Sequence, residues 1–151
     1  MKTSEIVALS DAVRGRVPID SLLGGLVASF ESTAPMETVA VPSDPRWTQL
    51  VIEHDTERRV LGFNTELREP EPVRWDQLDA RFGAPRRVPD GFDSREPDNV
   101  LYRFERGGAR QSLRARVDGE KRLVAFTLRA LQMVGGPAAP GTNPFGAPPT
   151  P

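Results

Sequence analysis

Three stretches in the C-terminal third of the chain alternate apolar and polar side chains with a period of two, which is the pattern of strands that bury one face. Between the second and third stretches, Asp118 and Gly119 form a dipeptide that is typical of a tight hairpin turn. The alternation therefore predicts an antiparallel three-stranded meander. The residues predicted to face inward are Val100, Tyr102, Phe104, Leu113, Ala115, Val117, Val124, Phe126 and Leu128.

The same alternation occurs earlier, in residues 47–55 and 60–67, and the polar letters DTER between the two stretches predict a hairpin. A further short extended piece is expected over residues 37–41. Because these strands follow one another without crossover segments, we expect an antiparallel sheet.

Two helices are predicted from apolar residues that recur at helical spacing. The first covers residues 3–14. The other covers residues 72–82, with Pro72 suited to its first turn and Gly83 to its end.

Residues 22–30 carry a broad apolar stripe that predicts one more helix, with Leu22, Leu26 and Phe30 on one side. Gly24 and Gly25 weaken this helix by about 1 kcal/mol each relative to alanine, so close packing or a bend is expected. The predicted fold is α+β: an antiparallel sheet of about five strands, with two N-terminal helices and one mid-chain helix packed on one face.

Length and composition suit one compact core with appendages. We expect a helical N-terminal segment over residues 1–34, a core of sheet and helix over residues 35–133, and a disordered tail over residues 134–151, which is rich in Pro and Gly and carries no charge.

The chain has no cysteine, which removes disulfides, thiolate metal ligands and a cysteine nucleophile. The N-terminus lacks the uninterrupted apolar run of a secretory signal, and no apolar stretch is long enough to span a bilayer, so we expect a cytoplasmic protein. Arg supplies most of the basic residues, and with the Ala, Pro and Gly usage this suggests a high-GC bacterial genome.

The end of the helix predicted at residues 72–82 leads through a loop into the meander. A helix that ends in an LG-x-P turn before an antiparallel sheet resembles the small modules of bacterial outer-membrane assembly lipoproteins and β-lactamase-inhibitor-like proteins. The matching residues are Leu78, Phe82, Gly83 and Pro85, and the likeness covers residues 72–131. The resemblance implies this fold and a protein-binding role. The lipoprotein members carry a signal peptide and a lipidated cysteine, and this chain shows neither.

Charge is distributed unevenly along the chain. Residues 1–80 hold 8 basic and 14 acidic side chains, whereas residues 98–132 hold 8 basic and 4 acidic ones. Because the apolar positions of the meander point inward, we expect its arginines to point outward together, namely Arg103, Arg110, Arg114, Arg116 and Arg129. Guanidinium groups on one pleated face can dock carboxylates or phosphates through bidentate hydrogen bonds. An ordinary solvated surface with local ion pairs is the alternative; a pI of about 5.9 and an inward Tyr102 argue against nucleic acid.

A pocket between the mid-chain helix and the sheet is a second possibility, lined by His54, Trp75, Asp76 and Tyr102, and it would make the chain a small-ligand binder or an enzyme. The neighbours of the single histidine point to alternate faces of a strand, so they do not converge on a metal, and a polar cluster at the hairpin end is the alternative. Asp76 and Asp79 lie one helical turn apart, which suits acid–base chemistry. The helix dipole stabilises carboxylates at that place in any case.

The leading hypothesis is a non-catalytic protein-binding accessory, adaptor or immunity-type module, for which we expect no cofactor and no metal. Its binding surface would combine the outward arginines with the apolar stripe of Leu22, Leu26 and Phe30 and with Phe145, the one large side chain of the tail. The stripe could equally complete the core, and the tail could be inert. An acidic protein is the expected partner; self-association, or a structural role in a larger assembly, is the alternative.

Overall fold

The structure is a computed structural model that describes residues 1–89 and 98–131, with the backbone alone for residues 86–89 and 98. Within these ranges, the helical elements are α1 (Thr3–Gly15), a short 3-10 helix (Ile19–Leu22) and α2 (Trp75–Phe82). The strands are β1 (Val27–Ala34), β2 (Glu37–Pro42), β3 (Trp47–His54), β4 (Val60–Glu71), β5 (Arg86–Pro89), β6 (Asp98–Arg106), β7 (Ala109–Val117) and β8 (Leu123–Ala130). The predicted tail at residues 134–151, with Phe145, lies outside the described residues.

The described strands join one antiparallel sheet in the order β1-β2-β3-β4-β8-β7-β6-β5. The first four form one meander and the last four a second, and the two meet at the centre, where β4 pairs with β8. The predicted fold of about five strands with two N-terminal α-helices is therefore wrong. The described chain is mostly sheet, with eight strands, and β1 at its N-terminal end belongs to the same sheet as the meander.

The predicted helix over residues 22–30 is absent. The 3-10 helix ends at Leu22, Gly24 takes a φ of 85°, and the chain enters β1 at the fully buried Val27. Glycine adopts a positive φ without the strain that a side chain would cause, so Gly24, which was expected to weaken a helix, instead lets the chain turn into β1. Leu26 and Phe30, from the predicted stripe, are partly buried residues packed against the core.

Both α-helices pack on one face of the sheet. α1 contacts β4 and β8, and α2 contacts β6. On α2, Phe82 stacks against Phe104 with ring centroids 4.4 Å apart, and Gly83 ends the helix with a φ of 92°, as the sequence predicts. The buried residues of α1 are Ile6, Leu9, Ser10 and Val13.

One buried polar pair fastens α1 to the sheet. Ser10 Oγ donates a hydrogen bond of 2.8 Å to Gln111 Oε1, and Gln111 Nε2 donates one of 3.1 Å to the carbonyl oxygen of Ser10. Both residues are completely buried. Since a buried polar group is costly unless it is hydrogen-bonded, this reciprocal pair fixes the position of α1 along β7.

The helices cover one face of the sheet, and we call the opposite face the open face. Side chains such as Phe63, Tyr102 and Leu128 point toward the helices and are fully buried. Their neighbours along the strands, such as Asn64 and Arg129, are exposed on the open face.

Candidate binding face

The C-terminal strands place arginines on the open face. Arg103 and Arg114 are exposed, while the adjacent Tyr102 and Leu113 are fully buried. The predicted inside–outside orientation of this meander is confirmed except at Val124. A register shift between Arg116 and Val117 places Leu123, rather than Val124, in the core. We call these outward side chains of β6, β7 and β8 the arginine face; its members are Arg103, Arg110, Arg114, Arg116 and Arg129.

The arginine face contains a shallow recess of about 310 Å³, which Arg103, Arg114 and Arg129 line together with Leu101 and Thr127. Among the side chains that the structure describes, Arg103 and Arg114 make no ion pair or hydrogen bond. An unpaired guanidinium can bind a carboxylate without first breaking another ion pair, and its planar fork suits bidentate bonding. The recess therefore offers two accessible cationic groups at one place.

Arg129 behaves differently, because it crosses over β4 to reach β3. Its Nη2 lies 2.6 Å from Glu53 Oε1, and the register places Gly62 of β4 between the two residues. A Cβ on Gly62 would lie 2.8 Å from both Arg129 Cβ and the Leu128 carbonyl oxygen, closer than real contacts come. Glycine at residue 62 is therefore what lets the two strands and this side chain approach so closely.

The N-terminal meander carries acidic residues on the same open face. In the strand register, Glu37 of β2 lies opposite Glu53 of β3, and Glu66 of β4 lies opposite Gln49 of β3. Glu37 and Glu66 are exposed. The open face is thus acidic on β2, β3 and β4. It is mainly basic on β8, β7 and β6, where the exposed Glu105 lies opposite Arg110, and the sign changes at the β4–β8 pairing.

His54 lies away from the arginine face and from any pocket with Tyr102. It is 1% exposed; its Nδ1 donates a 2.9 Å hydrogen bond to the carbonyl oxygen of Asp55, and its Nε2 lies 2.9 Å from Thr38 Oγ1. Both ring nitrogens are therefore engaged in holding the β2–β3 region together. Among the described residues, no group of three or more histidine or carboxylate side chains is placed to hold a metal ion.

Trp75 and Tyr102, two members of the predicted pocket, do lie together. They line a recess of about 230 Å³ between α2 and the sheet, with Asp79 in the place expected for Asp76. Tyr102 donates a 2.6 Å hydrogen bond to Asp79 Oδ1, and burial, with a smaller effect of that carboxylate, raises the pKa of the phenol well above its ordinary value. Asp76 is instead paired with Arg74 at 3.0 Å. The predicted set of four is therefore divided, since β4, β8 and β7 separate His54 on β3 from Tyr102 on β6.

The apolar stripe is divided as well. Leu22 and Leu26 line a groove of about 600 Å³ beside α1, whereas Phe30 lies on β1 and does not contribute to it. The groove has Asp44 at its rim, where the side-chain hydrogen bond from Arg46, 2.6 Å between Nη2 and Oδ2, lowers the pKa of the carboxyl group. In this part of the described chain, no continuous hydrophobic helix is available for a partner.

Sequence reasoning missed Gly62 and Glu37. A glycine inside an alternating strand pattern indicates a close approach of backbones, and that signal was present at residue 62. Nothing in the sequence shows that Glu37 shares a face with the arginines, because this depends on which strands pair at the centre of the sheet.

Comparison of the chain with protein-family models, curated proteins and solved structures gave no match. The resemblance to lipoprotein and inhibitor modules therefore stays an expectation. No helix among the described residues has the length and apolar character needed to cross a membrane.

Proposed function

We propose that this chain is a non-catalytic protein-binding module of the accessory, adaptor or immunity type, and that it docks an acidic protein surface on the arginine face. The observation that supports this most directly is the recess in which Arg103 and Arg114 are exposed and, among the described side chains, unpaired. A cytoplasmic location, which the absence of cysteine allows, belongs to the same proposal.

Protein is favoured over nucleic acid by the other side chains of the open face. Nucleic-acid interfaces combine extended positive charge with aromatic rings on which bases stack. Here the neighbouring strands carry Glu37, Glu53 and Glu66, which would repel a phosphate backbone, and the single tyrosine is fully buried on the other face. An acidic patch of limited size can occupy the basic half without meeting the acidic half.

The test is capture of partners from the native organism by the tagged chain and by the variant Arg103→Glu/Arg114→Glu. A charge-matched control is Arg58→Glu/Arg81→Glu, whose two side chains lie in the β3–β4 turn and on α2. We expect the partner to be lost with the first variant, retained with the control, and released from the wild type as salt is raised, because exposed charges are screened. Binding that survives both the charge reversal and high salt would exclude the arginine face.

A second candidate function has its own supporting observation, the recess beneath α2. Trp75 supplies aromatic surface there, Asp79 a carboxylate and Lys121 an ammonium group, which together suit a small zwitterionic ligand. A thermal-shift screen of amino acids against the wild type and Trp75→Ala would test it. Stabilisation of the wild type alone is expected if the recess binds such ligands, and equal responses would dismiss it.

A further inference from the structure

The open face carries both signs of charge, and their arrangement makes it complementary to itself. The strand register defines rows of side chains that run across the sheet. One row contains Glu37, Glu53, Gly62, Arg129, Ser112 and Arg103, in the order of strands β2, β3, β4, β8, β7 and β6. The row thus begins with a glutamate and ends with an arginine, equally far from the β4–β8 pairing.

The next row along the strands behaves similarly. It contains Val39, Val51, Asn64, Thr127, Arg114 and Leu101 in the same strand order. Val39 and Leu101 at its ends are half-buried apolar residues, while Asn64 and Thr127 at its centre are hydrogen-bonding ones. Positions at equal distances on the two sides of the β4–β8 pairing therefore carry side chains that can bind each other. These are Glu37 and Arg103 at the ends of the first row, Val39 and Leu101 at the ends of the second row, and Asn64 and Thr127 at its centre.

We propose that a second copy of this chain covers the open face, in a symmetric dimer whose twofold axis runs along the β4–β8 pairing, parallel to the strands. This inference rests on the proposed function, because it names a partner for the same face. The axis lays β2 of one protomer over β6 of its partner, β3 over β7, and β4 over β8. Glu37 then meets the partner's Arg103, Val39 meets the partner's Leu101, and Asn64 meets the partner's Thr127.

The geometry of stacked sheets allows these contacts. Two sheets pack face to face about 10 Å apart and with strands about 30° from parallel, so that residues at the ends of a row, about 12 Å from the axis, are displaced by about 6 Å. The long side chains of Glu37 and Arg103 can span that displacement. In such a symmetric interface every contact occurs twice, so each Glu37–Arg103 pair is duplicated. The recess that Arg103 and Arg114 line lies on the half that receives the partner's β2.

The available area is sufficient for a stable dimer. Six strands spaced about 4.8 Å apart are about 29 Å wide, and strands of about eight residues are about 27 Å long, so that the face measures about 800 Å². That is the area each partner contributes to a protein–protein interface of ordinary size.

Charge complementarity also distinguishes this occupant from an unrelated acidic protein. An unrelated acidic patch would occupy the basic half alone and would leave Glu37 and Glu66 uncovered. A second copy covers both halves of the face, and the register places Glu37 opposite the partner's Arg103 twice. Like charges placed opposite each other would weaken association strongly, which makes the arrangement testable by charge exchange.

Sedimentation equilibrium of the full chain tests the inference with two variants, Glu37→Arg and Arg103→Glu. We expect the wild type to dimerise, and each variant alone to dimerise at least about tenfold more weakly, since each places two pairs of like charges in the interface. In a one-to-one mixture of the two variants, one chain carries a positive charge at both residues 37 and 103, and the other chain carries a negative charge at both. A heterodimer of these chains restores both pairs of opposite charge, so we expect it to form. This rescue also shows that both variants are folded. The control variants Glu57→Arg and Arg81→Glu, on a turn and on α2, should dimerise like the wild type.

A wild type that remains monomeric at every concentration overturns the inference, and so does a dimer that Glu37→Arg does not weaken or a mixture that fails to associate. These results leave the proposed function standing if Arg103→Glu/Arg114→Glu still loses an acidic partner. If that variant also retains its partner, the proposed function fails independently.

Discussion

Replacing Gly62 with alanine would test how tightly the two meanders are joined at the centre of the sheet. The added Cβ would lie 2.8 Å from Arg129 Cβ and from the Leu128 carbonyl oxygen, and 3.0 Å from Arg129 Cα. Ordinary contacts begin near 3.4 Å, so β4 and β8 must separate by about half an ångström. Overpacking of this kind costs about 1–3 kcal/mol, against which alanine in a strand recovers about 0.5–1 kcal/mol. We expect a net loss of about 1–2 kcal/mol in the free energy of unfolding.

Urea denaturation followed by tryptophan fluorescence measures this loss. With a slope of about 2 kcal/mol per molar, the midpoint for Gly62→Ala should fall by about 0.5–1 M. Gly119→Ala is the matched control, since no atom lies within 4 Å of the Cβ that alanine would add there. If the two variants unfold at nearly the same urea concentration, the β4–β8 contact is looser than the structure indicates and the reasoning is wrong.

Three further predictions concern hydrogen bonds of buried or capped groups. Gln111→Leu leaves the buried hydroxyl of Ser10 without its partner, so unfolding free energy measured in urea should fall by about 1–3 kcal/mol, and a change below about 0.5 kcal/mol would contradict the role of the pair. Tyr102 is the only tyrosine, and because burial raises its pKa, ultraviolet titration of the native protein should show no phenolate at about pH 10, where a free phenol is half ionised; a half-complete titration there would refute it. Backbone hydrogen bonds, with that from Arg122 the most important, lower the pKa of Asp118 in the folded state. The stability that this carboxylate contributes is therefore present above about pH 4 and is lost as the pH falls through its folded pKa. Asp118→Ala should make the free energy of unfolding fall less steeply toward acid pH, and an unchanged slope would count against this.

Alternation of side chains was sufficient to predict β3, β4, β6, β7 and β8 and to orient their residues, apart from Val124 beside the β7–β8 register shift. The reason is that each of these strands buries one face against helices, so that hydrophobicity repeats every second residue. Arg114 is exposed between the buried Leu113 and Ala115 for the same reason. That the arginine face binds a partner stays a prediction.

Two strands escaped prediction because their patterns are not set by burial alone. β1 is an edge strand with one fully buried residue, Val27, and its apolar residues happen to recur at helical spacing across Gly24 and Gly25. β5 is a four-residue edge strand that ends at Pro89, a residue that cannot donate a ladder hydrogen bond. The division of the open face into an acidic and a basic half could not be predicted from the sequence for a different reason. It depends on the pairing of β4 with β8, which joins residues that are far apart in sequence.

Labelling of arginine side chains with phenylglyoxal, read by mass spectrometry, tests most directly whether a partner covers the arginine face. The protein is labelled in dilute solution and again with its partner bound, whether that partner is a second copy at high concentration or the captured protein. Our account predicts that Arg103 and Arg114 react readily in the dilute sample and are protected in the complex, while Arg81 on α2 reacts equally in both. If Arg103 and Arg114 are labelled as fast in the complex as in the dilute sample, the open face is not the binding surface.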